Sequence, residues 1–185
     1  MSAPLRRRRL VAALSDGDEK RRWQAAKELC ELRDSRTVRR VERVLENTDA
    51  EEGPRAAAAY VLGFSASAES ADLLAATLAD REDSDTVRAY SAEALGHLLQ
   101  HDTVLAEVRT PIGTGLRDPA AEVRFWCAFA SGVLGLQEAR PQLEHLAATD
   151  DEEVEGWWTV AEEAAWALRL LDGEEDPPLP RSEEA

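Results

Sequence analysis

The sequence predicts an all-α fold, built from about five stacked helical hairpins. One phrase recurs along the 185 residues, and its clearest copy runs from Val87 to Gly96. Its anchor position is occupied by Arg22, Arg55, Arg88, Arg124 and Ala161, at intervals of 33, 33, 36 and 37 residues. Self-similarity of this length is typical of helical solenoids. No run of alternating β-branched residues between turn signals predicts a strand.

Each predicted unit consists of helix A, a turn, helix B and a loop. The units cover about residues 4–33, 35–64, 67–99, 102–136 and 138–171, so that residues 1–171 form one repeat domain. The A helices are expected at Leu5–Leu14, Thr37–Glu46, Ala68–Ala79, Thr103–Leu116 and Glu138–Ala148. The B helices are expected at Glu19–Leu32, Gly53–Phe64, Thr86–Leu99, Ala120–Leu136 and Glu155–Leu171. Apolar residues of the second A helix repeat at helical spacing, and Pro111 predicts a kinked or split fourth A helix.

Acidic residues recur in the turns before the B helices. Asp16, Asp49 and Asp118 each precede an anchor arginine by six residues, and Glu82 stands at the same place. Asp118 followed by proline is typical of a helix N-cap and first helical position. We expect each recurring arginine to pair with an acid of the adjacent unit, forming a ladder of Arg22, Arg55, Arg88, Arg124, Asp16, Asp49 and Asp118.

These residues resemble the HEAT-repeat superfamily, in particular the short HEAT-like units first named from phycobilisome lyases. That pattern combines an Asp-rich turn, Val-Arg, spaced alanines and Leu-Gly, and it extends over about residues 5–171. In unit 5, Ala161 replaces the arginine and Arg169 the glycine, as expected of a terminal unit that caps the core. The resemblance implies a right-handed α-solenoid of about five hairpins but no single activity.

Charge is distributed unevenly along the chain. The formal net charge is −15, with an excess of five positive charges in residues 1–47 and of twenty negative charges in residues 48–185. Such a surface favours a basic protein partner and disfavours nucleic acid. With no signal peptide and no apolar stretch long enough to cross a membrane, we expect a cytoplasmic protein. Residues 172–185, with six acids and three prolines, predict a disordered acidic tail.

Aromatic residues concentrate at three positions of helix B, namely one, two and five residues after the anchor. Seven of the ten aromatic residues fall there: Trp23, Tyr60, Tyr90, Phe125, Trp126, Phe129 and Trp166. Two interpretations are open. The rings form an exposed groove that binds a partner helix or extended peptide, or they fill gaps between B helices and stay buried. Trp157-Trp158 is interpreted as an end cap or a partner contact.

No catalytic or metal-binding pattern stands out, and no cofactor is predicted. His97 and His101 lie four residues apart but are interpreted as helix-end residues, and Cys30 and Cys127 as buried thiols. The leading hypothesis is therefore a non-enzymatic scaffold or adaptor that binds another protein on its concave B-helix face. A bilin-lyase-like or other small-molecule-handling protein is the alternative. A HEAT-like DNA glycosylase is a minor one, because those enzymes need a cationic groove.

Overall fold

The computed structural model describes residues 3–32, 34–65, 68–100 and 106–181, and in these ranges it confirms the all-α fold. The α-helices are α1 (Ala3–Ala13), α2 (Glu19–Cys30), α3 (Ser35–Glu46), α4 (Glu52–Ser65), α5 (Ala71–Ala79), α6 (Asp85–Leu98), α7 (Ala106–Gly115), α8 (Ala121–Val133), α9 (Arg140–Thr149) and α10 (Val160–Leu171). Short 3₁₀ helices cover Ala68–Ser70 and Gln137–Ala139. An isolated bridge between Glu153 and Thr159 is the one β-type pairing within the described residues.

Helices alternate between two layers. The even-numbered helices are the B helices, and each packs directly on the next: α2 on α4, α4 on α6, α6 on α8, and α8 on α10. The odd-numbered A helices pack on their own B helices and, apart from α5 and α7, meet one another less extensively. Because the B layer is the more closely packed one, it forms the concave side of the stack. The buried apolar side chains make one continuous core from Leu14 to Leu171.

The glycine that recurs eight residues after the anchor arginine permits this close packing of B helices. A Cβ atom added at Gly63 of α4 would lie 2.7 Å from the Ala94 Cα of α6. One added at Gly132 of α8 would lie 2.8 Å from the Ala167 Cα of α10. Any side chain at these positions would therefore push neighbouring backbones apart, which dense protein interiors resist. The repeat spacing of glycine in the sequence follows from this contact.

Most helices lie within three residues of their predicted bounds, and α10 differs most. Helix α10 begins at Val160 rather than at residue 155, because the Thr159 side chain accepts from the Glu162 N–H while the Glu162 carboxylate accepts from the Thr159 N–H. This capping box ends the preceding loop, so Trp157 and Trp158 precede the helix. Pro111 lies inside α7, whose predicted beginning at residue 103 falls outside the described residues.

Residues 172–181, which were expected to belong to a disordered tail, make contacts with α10. After Gly173, which adopts a positive φ of 88°, the chain turns back along α10. Pro177 is buried, and its carbonyl accepts a hydrogen bond of 3.0 Å from the Trp166 indole. This contact cannot be predicted from composition alone. A tail that is too polar to fold by itself can still pack against an aromatic side chain elsewhere in the chain.

Candidate functional site

The anchor arginines join consecutive units through buried ion pairs. Arg55 of α4 donates to both oxygens of Asp83, with one bond of 2.6 Å, and Arg88 of α6 donates to both oxygens of Asp118. Arg124 of α8 does the same with Asp150, at 2.6 and 3.1 Å. In each case the acid lies in the turn of the next unit. Paired, bidentate geometry of this kind compensates the cost of burying the charges.

Within the described part of the first unit, Arg22 forms no such pair. The Arg22 guanidinium donates instead to the backbone carbonyl of Asp16, at 2.9 Å. Ala50 stands 33 residues before Asp83, and alanine offers no acceptor there. The predicted ladder is therefore wrong at two acids. Asp16 accepts from the Asp18 N–H in its own turn, and Asp49 is exposed.

Aromatic rings form a continuous row across the concave face, which we call the aromatic band. It consists of Trp23, Tyr60, Phe64, His97, Phe129 and Trp166, whose successive ring centroids lie 5.5, 4.8, 4.4, 5.0 and 6.1 Å apart. Tyr90 adjoins its beginning, 5.2 Å from Trp23. The band thus spans all five B helices, and each of its members is half-buried.

The structure divides the seven predicted aromatic residues. Trp23, Tyr60, Tyr90, Phe129 and Trp166 are half-buried and belong to the band or adjoin it. Phe125 and Trp126 are only 1% and 7% exposed, as in the alternative interpretation that the rings fill gaps between helices. They lie between helices and beneath the loop ring of Trp157, which is 46% exposed and 5.1 Å from Trp126.

Sequence reasoning missed Phe64 and His97, both members of the band. They lie one helical turn after Tyr60 and Glu93, and 33 residues apart. The repeat period could have revealed this fourth position, had the ring of histidine been counted with the aromatic residues. The other half of the predicted histidine pair, His101, lies outside the described residues.

An acidic cleft of about 890 Å³ adjoins the beginning of the band, at the N-terminal ends of the B helices. Its walls include Trp23 and Tyr90, and Gly53 and Ala56 of α4 also line it. Five carboxylates line it, namely Glu19, Glu51, Glu52, Glu122 and Glu155, together with the guanidinium of Arg22. Burial, together with Asp85, Glu52 and Glu155, raises the pKa of Glu122. The cleft therefore favours a cation.

Glu93 of α6 carries a buried carboxylate that interacts electrostatically with the cleft residues Tyr90 and Glu122. It is 8% exposed, and its Oε2 has no hydrogen-bond partner among the described residues. Burial, with a contribution from Glu122, raises its pKa to about 7. The His97 Nε2 lies 3.9 Å from its other oxygen, and burial lowers the pKa of that imidazole. Burial and the neighbouring Glu93 and Glu122 also raise the pKa of Tyr90 to about 12.

In the described ranges, no three His, Cys, Asp or Glu side chains are grouped so as to hold a metal ion. Cys127 is buried and Cys30 half-buried, and burial raises the pKa of both thiols, that of Cys30 to about 11. None of the helices in those ranges is long and apolar enough to span a membrane.

Comparisons with known proteins agree with the architecture. Residues 8–96 match the family model described as HEAT repeats, while a search of the curated proteins gives no match. A chain from the complex of CpcE and CpcF of phycocyanin lyase, from Nostoc, is similar with a TM-score of 0.72 at 18% identity, covering 89% of this chain and 99% of that one. A computationally designed armadillo repeat protein for modular peptide recognition is similar with a TM-score of 0.53 at 18% identity, covering 87% and 80%. These likenesses show the fold.

Proposed function

We propose that this chain, whose residues 8–96 are HEAT repeats within a longer helical solenoid, is a non-enzymatic scaffold that binds a basic segment of another protein. The observation that carries the proposal is the junction of the aromatic band with the acidic cleft. Trp23 is a band residue and also lines the cleft, and Tyr90 touches it there. A single extended ligand could therefore contact rings and carboxylates together.

Arginine and lysine side chains fit this junction for two physical reasons. Their charged groups are attracted to the faces of tryptophan and tyrosine, and they form strong hydrogen bonds with carboxylates. Their apolar stems also pack along aromatic surface. The half-buried rings supply contact area with few rotatable bonds, a property shared by energetically dominant interface residues. The similar fold of a repeat protein designed for peptide recognition supports a peptide as the form of the ligand.

A defined probe tests the proposal. A fluorescent ten-residue peptide of alternating lysine and arginine should bind the chain, and a peptide of alternating serine and glycine of equal length should not. Glu122→Gln should weaken the binding severalfold because Glu122 lines the cleft. Glu144→Gln removes the same charge from an exposed position on α9 and should leave the affinity nearly unchanged. Equal losses from both variants would mean that the probe senses net charge only, and the proposal would fail.

The aromatic part of the site has its own variant. Trp23→Leu keeps an apolar side chain at a half-buried position but removes the ring that touches Tyr60 and Tyr90. We expect weaker probe binding with helicity unchanged by circular dichroism. Leu5→Ser, at an exposed position on α1, is the matched control. An unaltered affinity in Trp23→Leu would exclude the band from the binding site.

Small-molecule handling is the second candidate function, favoured by the size of the cleft and by the fold shared with the phycocyanin lyase complex. The lining carboxylates oppose an anionic ligand such as a bilin with its own carboxylates, and they equally oppose the phosphates of a glycosylase substrate. Titration with biliverdin distinguishes the candidates. We expect no change of its absorbance spectrum, whereas a saturable change that Trp23→Leu abolishes would favour the second function.

A further inference from the structure

The C-terminal strap, which we define as residues 174–181, runs antiparallel along one face of α10. Glu174 contacts Arg169 at 2.7 Å near the end of the helix. Pro177 accepts from the indole of Trp166 one turn earlier. These contacts lie on the same side of the helix, so the segment is fixed at successive points along it.

Arg181 completes the arrangement near the beginning of α10. Its guanidinium donates to both oxygens of Glu162, at 3.0 and 2.9 Å, and to Glu153 at 3.3 Å. The Arg181 contacts hold the pKa of Glu162 at about 2, against the opposing effect of burial. The strap is therefore anchored by an indole-to-proline hydrogen bond and by a bidentate ion pair four residues later.

The repeat register explains why this face is free to hold a peptide. Glu162 and Trp166 occupy the positions of Phe125 and Phe129 in the preceding unit. In that unit Phe125 is buried, and Phe129 stacks on Trp166 of the next B helix. No described B helix follows α10, and the strap lies where that helix would be.

The chemistry of these contacts matches a known kind of peptide recognition. Proline-rich segments are stiff before they bind, lose little entropy, and dock on aromatic side chains. Arginine adds a planar donor pair whose geometry fits a carboxylate. Trp166 and Glu162 present both receptors on one helix face, and the buried Pro177 fills the space between them.

We propose that this face of α10 is a recognition site for a peptide with a proline and, four residues later, an arginine, and that the strap occupies it in cis. The strap thereby covers the aromatic band at Trp166. It competes for this face of α10 with any partner segment that reaches Trp166. The inference deepens the proposed function by adding a built-in competitor. Its test uses the chain's own peptide, so that it can fail or succeed independently of the lysine-arginine probe.

The test compares the full chain with a chain that ends at Gly173. The indole N–H resonance of Trp166, assigned with Trp166→Phe, should move when the strap is removed. A synthetic peptide of residues 174–181 should return it toward the full-chain position at concentrations on the order of millimolar, the effective concentration of a short tether. The same peptide carrying Arg181→Ala is the matched control and should act severalfold more weakly, as loss of an ion pair between partly exposed side chains implies.

A full-length variant keeps the test decisive if the shortened chain folds poorly. Arg181→Ala in the full chain should loosen the strap and admit the added peptide, whereas Glu175→Ala, at another exposed strap residue, should not. Two results would overturn the inference. One is an indole resonance that is identical with and without the strap. The other is a shortened chain that melts at a lower temperature and whose Trp166 indole resonance does not shift when the peptide is added. That result would mean that the strap only caps the end of the stack.

Discussion

Arg88 and Asp118 form a bidentate ion pair between neighbouring repeats, 30 residues apart in the chain, with side chains only 3% and 4% exposed. Burial alone would raise the pKa of Asp118, but the hydrogen bonds from Arg88 and from the Ala120 N–H lower it. Asp85 of the same helix also accepts from Arg88. The pair therefore joins α6 to the turn that leads into α8, and it orders the stack at its centre.

Removal of Arg88 should be strongly destabilising. Arg88→Ala leaves the Asp118 carboxylate buried without its cation, a change that typically costs about 3–5 kcal/mol in the free energy of unfolding. Urea unfolding followed by circular dichroism measures the change. Arg6→Ala breaks an ion pair between exposed side chains and should leave the unfolding curve nearly unchanged. Similar curves for the two variants would show that the buried pair adds no stability.

The missing first pair can be restored. Ala50→Asp places a carboxylate where Asp83 stands one unit later, within the turn that faces Arg22. The Arg22 Nε is buried and lacks a hydrogen-bond partner among the described residues, so a new charged acceptor should stabilise the chain by about 1 kcal/mol. Ala50→Asn supplies a similar shape without charge. If the asparagine variant is as stable as the aspartate variant, the register of the ladder does not extend to unit 1.

The repeat glycines should not tolerate a methyl group. Gly63→Ala forces a Cβ to within 2.7 Å of the α6 backbone, and overpacking of this kind costs roughly 1–3 kcal/mol. Gly113→Ala, inside α7 with nothing within 4 Å of the added Cβ, should instead gain up to about 1 kcal/mol from helix propensity. Thermal unfolding of both variants measures the difference. A gain at Gly63 would contradict close packing of the B helices.

Glu93 should make stability fall as the pH rises. Its pKa is about 7 in the folded chain against 4.5 for the ordinary group, so the folded state holds the extra proton between these values. Stability then decreases as the pH rises from about 4.5 through 7. Glu93→Gln cannot ionise, so it should gain a few kcal/mol relative to the unmodified chain between pH 5 and pH 8. Glu144→Gln is the exposed control, and parallel stability profiles for Glu93→Gln and the unmodified chain would contradict a protonated Glu93.

The fold could be predicted because its causes repeat. Arginine, alanine and glycine recur with the repeat, and each makes a contact that recurs as well. Arginine forms the ion pair between units, alanine packs in the core, and glycine allows neighbouring B helices to approach closely. The candidate site was predictable only in part. Tyr60 and Phe129 share a repeat position and a half-buried state, yet Phe125 is buried because the next unit and the loop before α10 cover it. The solvent exposure of each aromatic side chain depends on the size of the residues that pack over it. The repeat period does not predict those sizes.

The contacts of the strap could not be predicted from amino-acid composition, for a related reason. Acids and prolines predict that residues 174–181 do not fold by themselves, but they say nothing of a receptor elsewhere in the chain. Trp166 and Glu162 supply that receptor only because α10 is the last B helix described. A B helix with no further B helix packed on it leaves one face open to other segments of the chain. The repeat pattern predicts the helices but not which segment covers such a face.

Site-specific photocrosslinking in the native host tests the central claim, that the partner binds the concave B-helix face. Lys27 is exposed and shares its repeat position with Tyr60 and Phe129, whereas Glu144 is exposed on the A helix α9. A photoreactive residue at position 27 should crosslink one protein, in a reaction suppressed by excess lysine-arginine peptide, and the same residue at position 144 should not. Crosslinking of that protein at position 144, with none at position 27, would contradict the account.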